Sequence, residues 1–163
     1  RYNISKFEPI NYVSWLSSHN AYSAFNQGFT SPLYANHHFS ITDQLNAGVR
    51  HLELDPHFAG FPYFIGRAPA LRLCHASNSF LCELPTYESR LFGFGLREIA
   101  EWLIRNPGEV IVIKLDDGKL NGFEEPMRIE IDNILGPFLY RPPANFTRWP
   151  TMREIKMAKK QVV

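Results

Sequence analysis

The segment Val110-Ile111-Val112-Ile113-Lys114-Leu115 narrows the fold more than any other stretch. β-Branched side chains crowd one another in a helix but fit the pleat of a strand. An almost unbroken apolar run of this length predicts a strand covered on both faces, as in a parallel sheet. Before it, Leu96, Ile99, Ala100, Leu103 and Ile104 repeat at helical spacing, and Asn106-Pro107-Gly108 stops the helix expected over 92–105. After it, Glu124 to Leu135 reads as another helix closed by Gly136-Pro137, and 153–160 as a short helix or turn. Earlier strands are expected at Tyr12–Leu16, Val49–Asp55 and Leu71–His75, with a helix from Ser40 or Thr42 stopped by Gly48. Residues 56–70 hold Pro and Gly among aromatics and read as a loop or hairpin. Gln161-Val162-Val163 reads as the opening of one more strand.

Strands alternating with helices predict an α/β fold with a parallel sheet and helices outside it. A closed (β/α)8 barrel needs about 250 residues. The 163 residues here therefore form either an open sheet or the first half of a barrel, as one domain over 1–163.

Seventeen basic against sixteen acidic residues leave a formal charge of +1, without the basic excess of a nucleic-acid binder. Nucleic acid is therefore not an expected partner. No apolar run approaches the roughly 18 residues of a membrane-spanning helix. Two glycosylation sequons occur, Asn3-Ile4-Ser5 and Asn145-Phe146-Thr147, and Cys74 and Cys82 are spaced to close a short loop. The expectation is a secreted or cell-surface protein. The alternatives are chance sequons and free buried thiols in a cytoplasmic, membrane-peripheral protein. The start at Arg1 reads as a processed product or a fragment.

Polar residues gather where the expected strands end. His19 and Asn20 follow the first, Glu53 and Asp55 end the second, His75 the third, and Asp116 and Asp117 the fourth. Parallel strands end on one side of their sheet, so these positions are expected to converge, on what would be the catalytic face of a barrel. Two imidazoles supply a base and an acid near neutral pH. Asn and carboxylates make an oxygen-rich set suited to Ca²⁺ or Mg²⁺. Each residue alone also has a structural explanation, as a turn or a solvated polar group. On these residues, metal-assisted phosphodiester cleavage and a metal-binding module stand level.

Ser18-His19-Asn20-Ala21-Tyr22, Gln44-Leu45-Asn46-Ala47-Gly48-Val49-Arg50, Glu53-Leu54-Asp55, Leu73-Cys74-His75 and Asn106-Pro107-Gly108-Glu109 follow in order. Together they resemble the catalytic X region of phosphatidylinositol-specific phospholipases C, over about Trp15 to Val163. The resemblance implies the first half of a distorted TIM barrel, completed by a C-terminal half or a second chain. It implies that His19 stabilises the phosphoryl transition state and that His75 protonates the leaving alkoxide. It implies a Ca²⁺ site at Asn20, Glu53, Asp55 and Asp116. Bacterial members lack the metal and carry Arg where Asp55 stands, so Asp55 favours the calcium branch. Glu53 and Asp116 both remain candidates for the base. The implied reaction is attack of an inositol 2-hydroxyl on phosphorus, at a phospholipid or related phosphodiester.

This sequence departs from the family in carrying Asp116 where Glu is frequent. Lys114, two residues earlier on the same strand face, is a candidate for phosphate contact, for part of the metal's charge, or for packing. Phe58, Phe61, Tyr63, Phe64 and Ile65 form an apolar segment beside the site, either a membrane-docking rim or a folded loop. Two alternatives to the inositol phospholipase reading are a catalytically silent binding or structural module of an extracellular assembly, and a phosphodiesterase acting on glycerophosphodiesters or sphingomyelin.

Overall fold

Parallel pairing organises the chain. The computed structural model describes residues 6–25, 27, 29, 35–59, 70–75, 82, 89–116 and 122–163. The first sheet is parallel and ordered β1 (Ser17–Ser18), β2 (His51–Leu54), β6 (Val112–Leu115). Ser17 pairs with His51 and Ser18 with Leu52. Glu53 pairs with Lys114 and Leu54 with Leu115. At the free side of β6, Ile111 bridges Val162 in parallel, and the Ile113 N–H donates to the Val163 carbonyl at 2.9 Å. The strand opening expected at 161–163 is thus present.

One face of this sheet is apolar. Leu52 and Leu54 are fully buried, and Ile113 and Leu115 pack on the same cluster. Helices α1 (Ile41–Asn46), α2 (Phe92–Arg105) and α3 (Glu124–Leu135) surround that cluster through Leu45, Leu96, Ile99, Leu103, Met127 and Leu135. Ser40 caps α1 through a reciprocal box with Asp43, satisfying orphan backbone N–H groups. Gly48, at φ +104°, takes the left-handed turn after α1 that a side chain would resist. In α2 the buried row is Phe92, Leu96, Ile99 and Leu103. Ile104 lies one position off that row and is exposed, contrary to the expectation from its spacing.

A second sheet is antiparallel, ordered β3 (Pro56–Ala59), β4 (Ala70–Leu73), β5 (Arg90–Leu91). The hairpin read in 56–70 is therefore real at its two ends. Its aromatic middle, with Phe61, Tyr63, Phe64 and Ile65, lies outside the described residues, as do Asn3 and Asp117. Phe58 stacks on Phe123, just before α3, with ring centroids 3.5 Å apart. Cys74 and Cys82 form a disulfide.

Three expectations need correction. The strand at 71–75 does not join the parallel sheet, because its N–H and C=O groups pair with β3 and β5. The first strand is shorter and later than Tyr12–Leu16. Ile10–Tyr12 turns as a 3-10 helix, and the strand that pairs with β2 is Ser17–Ser18, preceded by the Leu16 carbonyl, which accepts from the His51 N–H at 3.2 Å. Finally, β6 is not covered on both faces. Lys114 is exposed and the rest of the strand half-buried, because the second face of the sheet is polar.

The far end of the sheet is held by Arg50. Its guanidinium donates to the Leu45 and Val49 carbonyls at 2.7 Å each and to Glu109 at 3.0 Å, and it stacks over Trp102 at 4.9 Å. Trp102 in turn donates to Asn46 at 2.8 Å. Arg50→Met should cost about 2–3 kcal/mol, read as a lower urea midpoint with unchanged slope; an unchanged midpoint would make the cluster incidental. At α4 (Met152–Met157), the Arg148 guanidinium beside Glu154 holds that carboxyl down to about 2. A depressed carboxyl stabilises above its ordinary value of 4.5 and stops doing so as pH falls to about 2. The melting-temperature gap between the native protein and Glu154→Gln should therefore be full at neutral pH and close through that window.

Candidate active site

The polar face of the parallel sheet carries register-matched pairs. In a parallel pair, side chains of aligned residues stand next to one another on one face. Ser17 beside His51 gives a Ser17 Oγ to His51 Nδ1 contact of 2.6 Å. Burial pushes the His51 imidazole below its ordinary range; Lys114 adds to this and Glu53 opposes it. Glu53 beside Lys114 gives a 3.0 Å bond from Nζ to Oε2. His19, at the end of β1, brings Nε2 to 3.3 Å from Glu53 Oε1. Side-chain exposure is 15% for Glu53 against 56% for Lys114 and 66% for His19. The carboxylate is thus the fixed centre and the two nitrogen groups reach it from solvent. Its hydrogen bond holds the Lys114 ammonium above the usual lysine range.

Around this centre the backbone is tightly determined. Asn20 sits at φ 48°, the left-handed conformation that Asn tolerates better than most residues, and it is buried. This turn lets the Ala21 N–H donate to the Glu53 carbonyl at 3.0 Å. The Asn20 Oδ1 accepts from the Tyr22 hydroxyl at 3.3 Å. Asp55 follows β2, is buried, and brings Oδ1 to 3.1 Å from Nε2 of the fully buried His57. The Asp116 N–H donates to the Leu54 carbonyl at 3.0 Å, and its exposed carboxylate acts electrostatically on Lys114. His75 follows β4 and is half-buried. The Cys74 N–H donates to the Asp55 carbonyl at 3.3 Å, tying the end of β4 to the end of β2.

Comparison with known proteins fits this frame. The PI-PLC X 1 family profile matches residues 9–163. The chain belongs to the PI-PLC X family. An uncharacterized Mycobacterium tuberculosis protein is 32% identical over 145 residues, covering 82% of this chain and 29% of the relative. An uncharacterized secreted protein of Arthroderma benhamiae is 26% identical over 148 residues, covering 86% and 30%. A PI-PLC X domain-containing protein of Arabidopsis thaliana is 29% identical over 113 residues, covering 67% and 24%. The chain thus spans less than a third of the length of these relatives. Among solved structures, the phosphatidylinositol-specific phospholipase C of Listeria monocytogenes superposes with a TM-score of 0.67 at 19% identity, covering 99% of this chain and 54% of the enzyme. PLC21 of L. pealei superposes at 0.62 with 14% identity, covering 98% and 19%. At such identities the likeness establishes the fold, a partial barrel of the PI-PLC type.

Within the PI-PLC X frame, the structure brings His19, Glu53 and Lys114 into contact and sets Asp116 beside them. Asn20 and Asp55 are engaged elsewhere, with Tyr22 and His57. Calcium takes six to eight oxygens at about 2.3–2.6 Å. Here both Glu53 oxygens face nitrogen groups. Among the described residues no three His, Cys, Asp or Glu side chains gather as a metal-binding group. In this arrangement Asn20, Glu53, Asp55 and Asp116 do not fit the calcium cage that the resemblance implies.

Sequence reasoning assigned no role to two residues that build the His19 turn. Gln44 is buried, donates to the Ala21 and Phe39 carbonyls at 2.9 Å each, and accepts from the Ser18 hydroxyl. His37 donates through Nε2 to the His19 carbonyl at 2.7 Å. A Gln inside the apolar spacing of α1 was the available signal, since a buried amide has to find partners. Gln44→Leu strands three polar groups and should cost about 2–4 kcal/mol. It should also broaden the His19 imidazole resonance in NMR; a sharp, unshifted His19 signal would show that the turn stands without the brace.

Proposed function

We propose that the protein is a phosphodiesterase of phospholipase C type that cleaves an inositol phospholipid or a closely related phosphodiester. The observation that carries this reading is His19 held at Glu53 on the polar face of the parallel sheet, in a chain of the PI-PLC X family. With Nε2 facing Glu53 Oε1 at 3.3 Å, the carboxylate favours the tautomer with its lone pair on Nδ1. That nitrogen takes the proton of the attacking 2-hydroxyl as the new P–O bond forms. His75 gives a proton to the alkoxide as the bond to the lipid alcohol breaks. The products are a diacylglycerol, or equivalent alcohol, and a cyclic phosphodiester. Water can open the cyclic ester with the two imidazoles exchanging roles.

Residues 1–163 are then one half-barrel module, completed by a C-terminal half or a second chain. Coverage of 54% of the Listeria enzyme supports this. A site outside the cell is supported by the disulfide, by the exposed Asn145 of the second sequon, and by the relative named as secreted. No described helix is long and apolar enough to cross a membrane. On this reading the substrate is met at a lipid surface from the aqueous side.

The test is cleavage of phosphatidylinositol vesicles followed by ³¹P NMR. The native protein should release a cyclic phosphodiester. His19→Ala and His75→Ala should each slow release by about 10²–10⁴-fold. Full activity in both variants would remove the acid–base assignment. Cleavage of a glycerophosphodiester with no cyclic product would favour the related phosphodiesterase reading.

A further inference from the structure

The disagreement between the expected calcium cage and the observed carboxylate has a positive content. Glu53 is the acid within the strands of the parallel sheet, largely buried, and its Oε2 accepts from Lys114 at 3.0 Å. The contact is not a chance meeting of long side chains, because Glu53 and Lys114 are register partners across β2 and β6. A divalent ion at Glu53 would have to displace this ammonium or share the carboxylate with it against charge repulsion. Asp55 Oδ1 lies 3.1 Å from His57 Nε2 and Asn20 Oδ1 accepts from Tyr22, so two more members of the expected cage face protein groups, while Asp116 stays exposed near Lys114. Meanwhile Lys114 keeps more than half of its side chain exposed. One N–H direction is fixed by Glu53, and an ammonium has two more to offer.

We infer that Lys114, anchored by Glu53, is the site's own cation: it binds the phosphodiester's non-bridging oxygen in the place a divalent ion would otherwise take. The inference deepens the phosphodiesterase reading and rests on it for the identity of the anion. On this arrangement His19 and Lys114 flank one carboxylate, and a phosphate above Glu53 meets both. Lys114 is thereby a substrate-binding residue rather than a packing residue. The site is loaded without any metal.

The test is isothermal titration of the purified protein with inorganic phosphate in EDTA, and separately with Ca²⁺. Phosphate affinity should fall about tenfold or more in Lys114→Met, and should largely survive in Lys114→Arg, which keeps the charge. Calcium should give no saturable binding to the native protein tighter than about 1 mM. Phosphate affinity unchanged in Lys114→Met, no phosphate binding to the native protein, or calcium binding tighter than that limit would each overturn the inference. Circular dichroism of both variants checks folding, which an exposed side chain should leave intact. Calcium-stimulated cleavage of the inositol lipid would keep the phosphodiesterase and remove the inference. Metal-free phosphate binding lost in Lys114→Met, without any cleavage, would do the reverse.

Discussion

The in-register parallel pairing of β2 with β1 and β6 is the constraint on which the rest depends. A slip of one residue would turn every side chain of β2 to the opposite face. Leu52 and Leu54 would then face water, and Glu53 would face the helices. Burial of the two leucines, each worth about 1.5–3 kcal/mol, therefore fixes where the carboxylate points. The same register delivers Lys114 to Glu53 and Ser17 to His51 without any further device. The site is in this sense a consequence of the core.

The motif series that links this chain to the PI-PLC X family divides physically into two sets. One set carries the residues proposed for the chemistry: His19, Glu53 and His75. The other holds the frame. Arg50 and Glu109 tie the ends of β2 and β6 together opposite the site, and Asn46 anchors the ring of Trp102 on which Arg50 stacks. Gln44 braces the turn that presents His19. Asn106 ends α2 by returning its amide to the Trp102 carbonyl. A chain can keep the second set and lose the first without losing its fold. Membership of the family therefore speaks for the frame, and the displayed residues have to be judged on their own geometry.

Much of the frame was legible in the sequence because it rests on local patterns. α1, α2 and α3 follow their apolar spacing and their stop signals to within a residue or two, and β2 follows its alternation. β1 was misplaced because the strand it pairs with lies more than thirty residues away, at His51 and Leu52, and no local pattern records that. The strand at 70–73 was assigned to the wrong sheet for a related reason. Its composition suits either kind of pairing, and the choice is made by neighbours brought in by the hairpin. β6 looked buried on both faces because β-branched residues dominate it, while a single Lys114 marked the polar face. Glu53 and Lys114 lie on the strands expected for them, and His19 follows a strand shorter and later than the expected one. Nothing in the sequence pattern warned that Asp55 would be claimed by His57, a residue two positions on that reaches it from the start of β3.

A cation supplied by the chain behaves differently from one taken from solution. Its occupancy does not depend on ambient calcium, because Lys114 is held beside Glu53 by the register of two strands. Its electrostatic reach is instead limited by salt, since an ammonium this exposed is screened over about 10 Å at 0.1 M ionic strength. It also carries one charge where calcium carries two, and it cannot coordinate and acidify the attacking hydroxyl as a metal does. The burden of removing that proton then falls on the imidazole–carboxylate pair. His19 and Lys114 lie at opposite oxygens of Glu53, so on the proposed reading one carboxylate orients the base and anchors the cation. A change at Glu53 must therefore disturb proton transfer and phosphate binding together, whereas a change at Lys114 acts on phosphate binding first.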